Sequence, residues 1–202
     1  MKYIESQFGN PRGLIGHLAG IIMAIENRQR NSWALSLLEI DPADHMLEIG
    51  FGSGWAIQRA SMMAVNGLVA GVDRSREMLA QASFRNRIGI KSGHVDLRSG
   101  TAASIPFEDE QFDKVYAVNS FHEWGEAMPG LLEARRVLKP GGLLAIVEHP
   151  HGKLDAKRIQ EIQNELADQV SSAGFEVVQY TNRIQGRTAI AIVGKKLKPN
   201  AQ

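Results

Sequence analysis

The chain contains no cysteine, which excludes disulfides, thiolate nucleophiles and zinc–cysteine centres outright and is compatible with a reducing, cytoplasmic setting. It lacks a charge excess as well. Lys and Arg number 23 against 22 Asp and Glu, a net charge of +1, so bulk electrostatics make no case for nucleic acid as a partner. Long apolar runs are missing too: the longest, Leu14 to Ile25, is interrupted by Gly16, His17 and Gly20 and is too short to span a bilayer. Surface contact is the most expected with a membrane. Met1 to Asn10 carries Lys2, Glu5 and Gln7 without an apolar centre, so no secretory leader is expected. No internal repeat or low-complexity segment appears. At 202 residues, 44% hydrophobic and 22% charged, the chain reads as one ordinary globular domain with a substantial core.

What is present starts with Met46-Leu47-Glu48-Ile49-Gly50-Phe51-Gly52-Ser53-Gly54. An apolar strand carries a carboxylate near its end, and three alternate glycines then let the backbone turn tightly against a ligand before a helix opens near Trp55. A dinucleotide fingerprint places its third glycine at the sixth position, beside a pyrophosphate at the helix terminus. Here that position is Trp55. Glu48 adds negative charge where phosphates would be repelled, so a cationic ligand without phosphate suits the turn better. S-adenosylmethionine is such a ligand. The plainer alternative for Glu48 is a strand-end carboxylate paired with a surface Lys or Arg.

Three further blocks follow in order: Gly71-Val72-Asp73-Arg74-Ser75, Ser104-Ile105-Pro106-Phe107-Glu108-Asp109-Glu110-Gln111-Phe112-Asp113, and Arg135-Arg136-Val137-Leu138-Lys139-Pro140-Gly141-Gly142. With these four blocks the sequence resembles the class I S-adenosylmethionine-dependent methyltransferases, in the methyltransferase type 11 branch that includes ubiquinone- and menaquinone-biosynthesis enzymes. The likeness runs over about residues 44 to 150. It implies S-adenosylmethionine as cofactor and S-adenosylhomocysteine as product. It also implies a doubly wound, Rossmann-like sheet of seven mostly parallel strands with the last-threaded strand antiparallel.

Periodicity leads to the same α/β class. Leu14, Leu18, Ile21, Ile22 and Ile25, then Trp33, Leu37 and Ile40, recur at helical spacing and predict two N-terminal helices. Asp41-Pro42 marks the start of the core. Strands are predicted near 45 to 50, 68 to 73, 94 to 99, 112 to 118 and 142 to 148. Helices are predicted near 54 to 65, 75 to 91 and 126 to 138. Continuous apolar strands such as Leu143-Leu144-Ala145-Ile146-Val147 suit a parallel sheet covered on both faces. Ile159, Ile162, Leu166 and Val170 mark a last helix, followed by strands at 175 to 180 and 188 to 193, close enough in sequence to be antiparallel. The expected organisation is a helical cap over 1–42, a cofactor-binding core over 43–196 and a flexible tail over 197–202.

Ligands of such sheets lie beyond the carboxyl ends of the strands, which assigns positions to residues. Gly50, Gly52 and Gly54, with Phe51 among them, are expected beneath the methionine moiety. Glu48 orients the turn or reaches the ammonium through water. Asp73 is expected to accept both ribose hydroxyls, leaving helix capping to Ser75. Arg74 and Met78 are placed beside the adenosine, Met78 having a core position as its alternative. The resemblance implies an acidic contact to the adenine amino group where this chain has Thr101, so Thr101 or the backbone of Ala102 is expected there. Asn119 opens the loop Asn119-Ser120-Phe121-His122-Glu123-Trp124, where cofactor and acceptor should meet. His122 is the candidate base, with a structural role as the competing reading; His149 and then His151 follow as weaker candidates. Trp33, Trp124 and His149 join it as substrate contacts, and no metal site is expected because no compact ligand spacing occurs.

The expected activity is methyl transfer to a small-molecule acceptor, hydrophobic or quinone-like. The N-terminal apolar face could cover that acceptor, or simply pack on the core. Arg12, Arg28 and Arg30 could meet an anionic substrate or lipid surface, or remain solvated. Two other readings stand beside this one: an NAD(P)-dependent oxidoreductase on the same scaffold, and a cofactor-binding regulator without catalysis. Acceptor atom and oligomeric state are not legible.

Overall fold

The computed structural model describes residues 29–150, 154–185 and 187–198. The predicted helix over Leu14 to Ile25, with Arg12, Arg28 and His151, lies outside them. Helix α1 spans 29–36. The core then runs β1 (His45–Ile49), α2 (Trp55–Ser61), β2 (Leu68–Asp73), α3 (Arg76–Arg85), α4 (Arg87–Lys91), β3 (Val95–Ser99), β4 (Phe112–Val118), a 3-10 turn (Phe121–Glu123), α5 (Ala127–Val137), β5 (Leu138–Glu148), α6 (Ala156–Ser172), β6 (Phe175–Gln185) and β7 (Arg187–Lys196).

The seven strands form one sheet in the order β3-β2-β1-β4-β5-β7-β6. Pairs β1–β2, β1–β4, β2–β3 and β4–β5 are parallel, and β7 is antiparallel to both β5 and β6. The expected doubly wound sheet with its last-threaded strand reversed is therefore the fold. Successive strand residues feed two separate cores. Leu47, Ile49, Val115, Leu144 and Ile146 pack with α5 and α6, whereas Met46, Val69, Tyr116, Ala145 and Val147 pack with α2, α3 and the 34–38 segment. Burial on both faces explains why the strands read as uninterrupted apolar runs.

Three boundaries differ from expectation for identifiable reasons. The helix predicted over 75 to 91 is broken at Asn86, whose buried side-chain amide donates to the carbonyls of Ala82 and Gly54 at 2.9 and 3.1 Å. An amide bonded to backbone competes with the next helical turn. Strand β5 begins at Leu138 because that residue pairs with Phe112 ahead of a register shift. The β6–β7 ladder continues to Gln185↔Arg187, since main-chain pairing propagates along a hairpin beyond its apolar residues.

The block Ser104 to Asp113 is fastened rather than free. Arg136 donates to the carbonyls of Ile105 and Phe107, both at 2.9 Å, and pairs with Glu133 and Asp109. Glu133 in turn accepts the Ile105 N–H at 2.9 Å, and these bonds hold its carboxyl below the usual range. Lys139 and the His45 N–H meet on Asp113 Oδ2 at 2.7 and 2.9 Å. These contacts pin the strand entering the sheet centre, so the following loop emerges at a fixed place.

Candidate active site

The chain order reverses between β1 and β4, and beyond the carboxyl ends of β1, β2 and β4 lies a cleft of about 400 Å³. This is where an open α/β sheet leaves room for a ligand. Its walls include the expected Gly50, Gly52, Asp73, Arg74, Met78, Thr101, Ala102, Asn119 and Trp124. Ile49, Val72, Ser75, Gly100, Ser120 and Glu123 complete them and were not anticipated individually. Each of these adjoins an expected residue in sequence, so adjacency was the only available signal.

The three glycines turn out to have different reasons. Each has positive φ. A Cβ on Gly50 would sit 2.4 Å from the Ser120 Cβ, and one on Gly54 would sit 2.7 Å from the Ala82 Cβ. Both therefore admit protein neighbours, and Gly54 does not line the cleft. Only around Gly52, at φ 51°, is the space open for 4 Å. Gly52 is thus the open face of the turn, and Gly50 closes the floor under Ser120. Ser120 completes that floor by donating its hydroxyl to the Ile49 carbonyl at 2.6 Å.

Asp73 organises the neighbouring wall. Its Oδ2 accepts the Gly52 N–H and its Oδ1 the Ser75 N–H, each at 2.8 Å. Each carboxylate oxygen has two acceptor positions, so the bonds within the protein leave capacity for hydroxyl donors. Ser75, for its part, caps α3 by accepting the Met78 N–H at 3.3 Å.

Two further expected residues sit outside the cleft. Phe51 is buried in the α2-side core, over Gly71, where a Cβ would meet its ring at 2.6 Å. Glu48 is only 3% exposed and lies beside Tyr116 and the backbone of Ile57. Burial, reinforced by the charge of Asp73, pushes its carboxyl up to about 8. Neither lines the cleft: both face the α2 side, a position from which Glu48 can support the turn from beneath, one of the two roles expected of it. Neither surface Lys nor Arg pairs with Glu48 among the described residues; one carboxyl oxygen has no hydrogen bond.

The loop after β4 forms the opposite wall. Asn119 adopts φ 54° and its N–H donates to the Val147 carbonyl at 2.8 Å. Trp124 packs on Phe121 with ring centroids 4.9 Å apart, and lies so close to α5 that only glycine fits at 130, where a Cβ would come within 2.4 Å of the indole. At the rim, Arg74 and Glu123 form an ion pair at 2.5 Å. His122 Nδ1 shares a hydrogen bond with Glu148 at 2.8 Å, while Nε2 is 3.8 Å from Glu123. Its side chain is half exposed and is not part of the cleft wall. His149 shares its Nδ1 hydrogen bond with the Thr188 carbonyl, and Trp33 packs on the α2-side core. The structure thus leaves His149 and Trp33 outside the cleft: the first is drawn to β7, the second is held by the apolar face of its own segment.

Residues 47–146 match the family described as "Methyltransferase domain". The chain is 32% identical over 183 residues to an uncharacterized methyltransferase, YdaC, of Bacillus subtilis (strain 168), covering 89% of this chain and 98% of that one. It is 33% identical over 125 residues to the 2-phytyl-1,4-naphtoquinone methyltransferase of Synechocystis sp. (strain ATCC 27184 / PCC 6803 / Kazusa), covering 60% of this chain and about half, 52%, of that protein's length. Among solved structures, a SAM-dependent methyltransferase of Aquifex aeolicus superposes with a TM-score of 0.70 at 23% identity, over 83% of this chain and 89% of the other.

Proposed function

This chain belongs to the class I S-adenosylmethionine-dependent methyltransferases, and from that premise we propose that it methylates a small, apolar, quinol-like acceptor at the cleft between Asp73 and Trp124. The carrying observation is the bidentate position of Asp73, which steadies the open turn at Gly52 and keeps acceptor capacity toward the cleft. The cleft suits the cofactor: it offers a carboxylate for paired hydroxyls, a glycine with open space, and the apolar side chains of Met78 and Ala102 in its lining. In this reading Asp73 holds the ribose, Gly52 faces the amino-acid end, and Met78, Thr101 and Ala102 flank the adenine. The bound cofactor supplies an activated methyl group and its own leaving group.

The chain's own work is then positioning, exclusion of water and management of one proton. Trp124 offers the acceptor a flat apolar wall fixed from behind by Gly130. A hydroxyl nucleophile must lose its proton, and the imidazole of His122, next to the cleft-lining Glu123, is the base proposed to accept it. With Nδ1–H donated to Glu148, the lone pair falls on Nε2. The Synechocystis relative, a naphthoquinone methyltransferase by name, supports a quinone-like acceptor. Thin-layer separation after incubation with methyl-labelled cofactor and a panel of naphthoquinols, phenols and amines tests the reading. Label in the naphthoquinol is expected; label confined to amines would overturn it.

A further inference from the structure

The least covered apolar side chains of the described core are neighbours in sequence. Phe84 is 73% exposed at the end of α3 and Ile88 77% exposed in α4, on either side of the kink at Asn86. One exposed apolar side chain is ordinary, but exposed apolar groups interleaved with cations over a few residues are what an interaction surface requires. Between Phe84 and Lys91 stand Arg85, Arg87 and Lys91, with no carboxylate in the segment. The Arg87 guanidinium lies 5.2 Å from the Phe84 ring centroid, so cation and apolar group share one small area. Arg85 is turned the other way: its Nε donates to the Ser53 carbonyl at 2.8 Å, and its guanidinium lies 4.6 Å over Trp55. That anchors the kinked pair to the turn that carries Gly52.

We propose that Phe84, Ile88, Arg87 and Lys91 form a peripheral docking surface for an anionic lipid bilayer. The chemistry selects this occupant. Protruding apolar side chains enter the acyl boundary while cations remain with the headgroups, and neither contribution alone holds a protein to a membrane firmly. A second copy of the chain would bring the same cations to the interface without supplying an anionic partner from this segment. Nucleic acid would engage the cations but give Ile88 nothing to bury in. Among the described residues no helix is long and apolar enough to cross a membrane. Attachment beside the cofactor turn would bring the cleft to a surface where lipid-soluble molecules reside. The surface does not depend on which acceptor is methylated.

The test is sedimentation of the full chain with vesicles of phosphatidylglycerol mixed equally with phosphatidylcholine, against phosphatidylcholine alone. Binding is expected only to the anionic vesicles and should weaken with salt. Arg87→Glu combined with Lys91→Glu, and separately Phe84→Ser combined with Ile88→Ser, should each reduce partitioning by about tenfold or more. S-adenosylhomocysteine affinity should stay unchanged in both variants, which establishes that they are folded. If the apolar pair of substitutions unfolds the chain, the charge pair decides. Absence of vesicle binding, binding unaffected by the substitutions, or a dimer in gel filtration that Phe84→Ser/Ile88→Ser splits would each overturn the proposal. The readout contains no methyl transfer, so it stands or falls apart from the acceptor assignment.

Discussion

Asp73 Oδ2 accepts the backbone N–H of Gly52 across 21 residues of sequence. One carboxylate therefore shapes the turn and faces the cleft, so its loss should be felt in both. Asp73→Ala is expected to weaken S-adenosylhomocysteine binding by about 1–3 kcal/mol, through unpaired donors on both the turn and the ligand. Asp73→Asn, which keeps one acceptor, should fall between. Calorimetric titration reads both; native affinity in Asp73→Ala would remove this residue from the site.

The glycines should respond differently. Gly50→Ala meets the Ser120 Cβ at 2.4 Å and retains φ 78°, so a stability loss of about 2–4 kcal/mol is expected in urea unfolding. At Gly52 the surroundings are open. Asn tolerates its left-handed backbone, so Gly52→Asn should fold with nearly native stability while cofactor affinity drops sharply. Equal behaviour of the two variants in both measurements would contradict the separate roles.

Glu48 makes stability depend on pH. Its carboxyl is raised from 4.5 to about 8 by burial, so between those values the folded chain holds a proton that the unfolded chain has released. Stability must then fall as pH rises through this window, by at most about 1.4 kcal/mol per pH unit. Glu48→Gln is expected to flatten the slope and to exceed the native chain in stability above about pH 8. Denaturant midpoints across the window check it, and a native-like slope in the variant would assign the pH dependence elsewhere.

His122 is tied to Glu148 at the cleft rim. For a hydroxyl acceptor, His122→Ala should lower turnover by about 100-fold, with cofactor affinity unchanged. An unaltered rate would reduce the histidine to a loop support.

Much of the fold was legible because hydrophobic periodicity and local turn chemistry act over a few residues. The runs Met46-Leu47 and Leu144 to Val147 identify strands covered on both faces, and Ser75 announces the start of α3 by its position alone. The kink at Asn86 was not legible, since the carbonyl of Gly54 that helps to cause it lies 32 residues away.

The site divides along the same line. Local sequence determined that a glycine turn follows β1, which positive φ demands, and that a carboxylate stands at the end of β2, which follows from strand length. Tertiary structure alone decided which glycine stays open and which make way for Ser120 and Ala82. It also turned Phe51 and Glu48 away from the cleft and drew His149 to the Thr188 carbonyl. Those outcomes rest on contacts between distant segments, which a linear pattern does not encode: the glycines look alike in the sequence, and only their neighbours in space distinguish them.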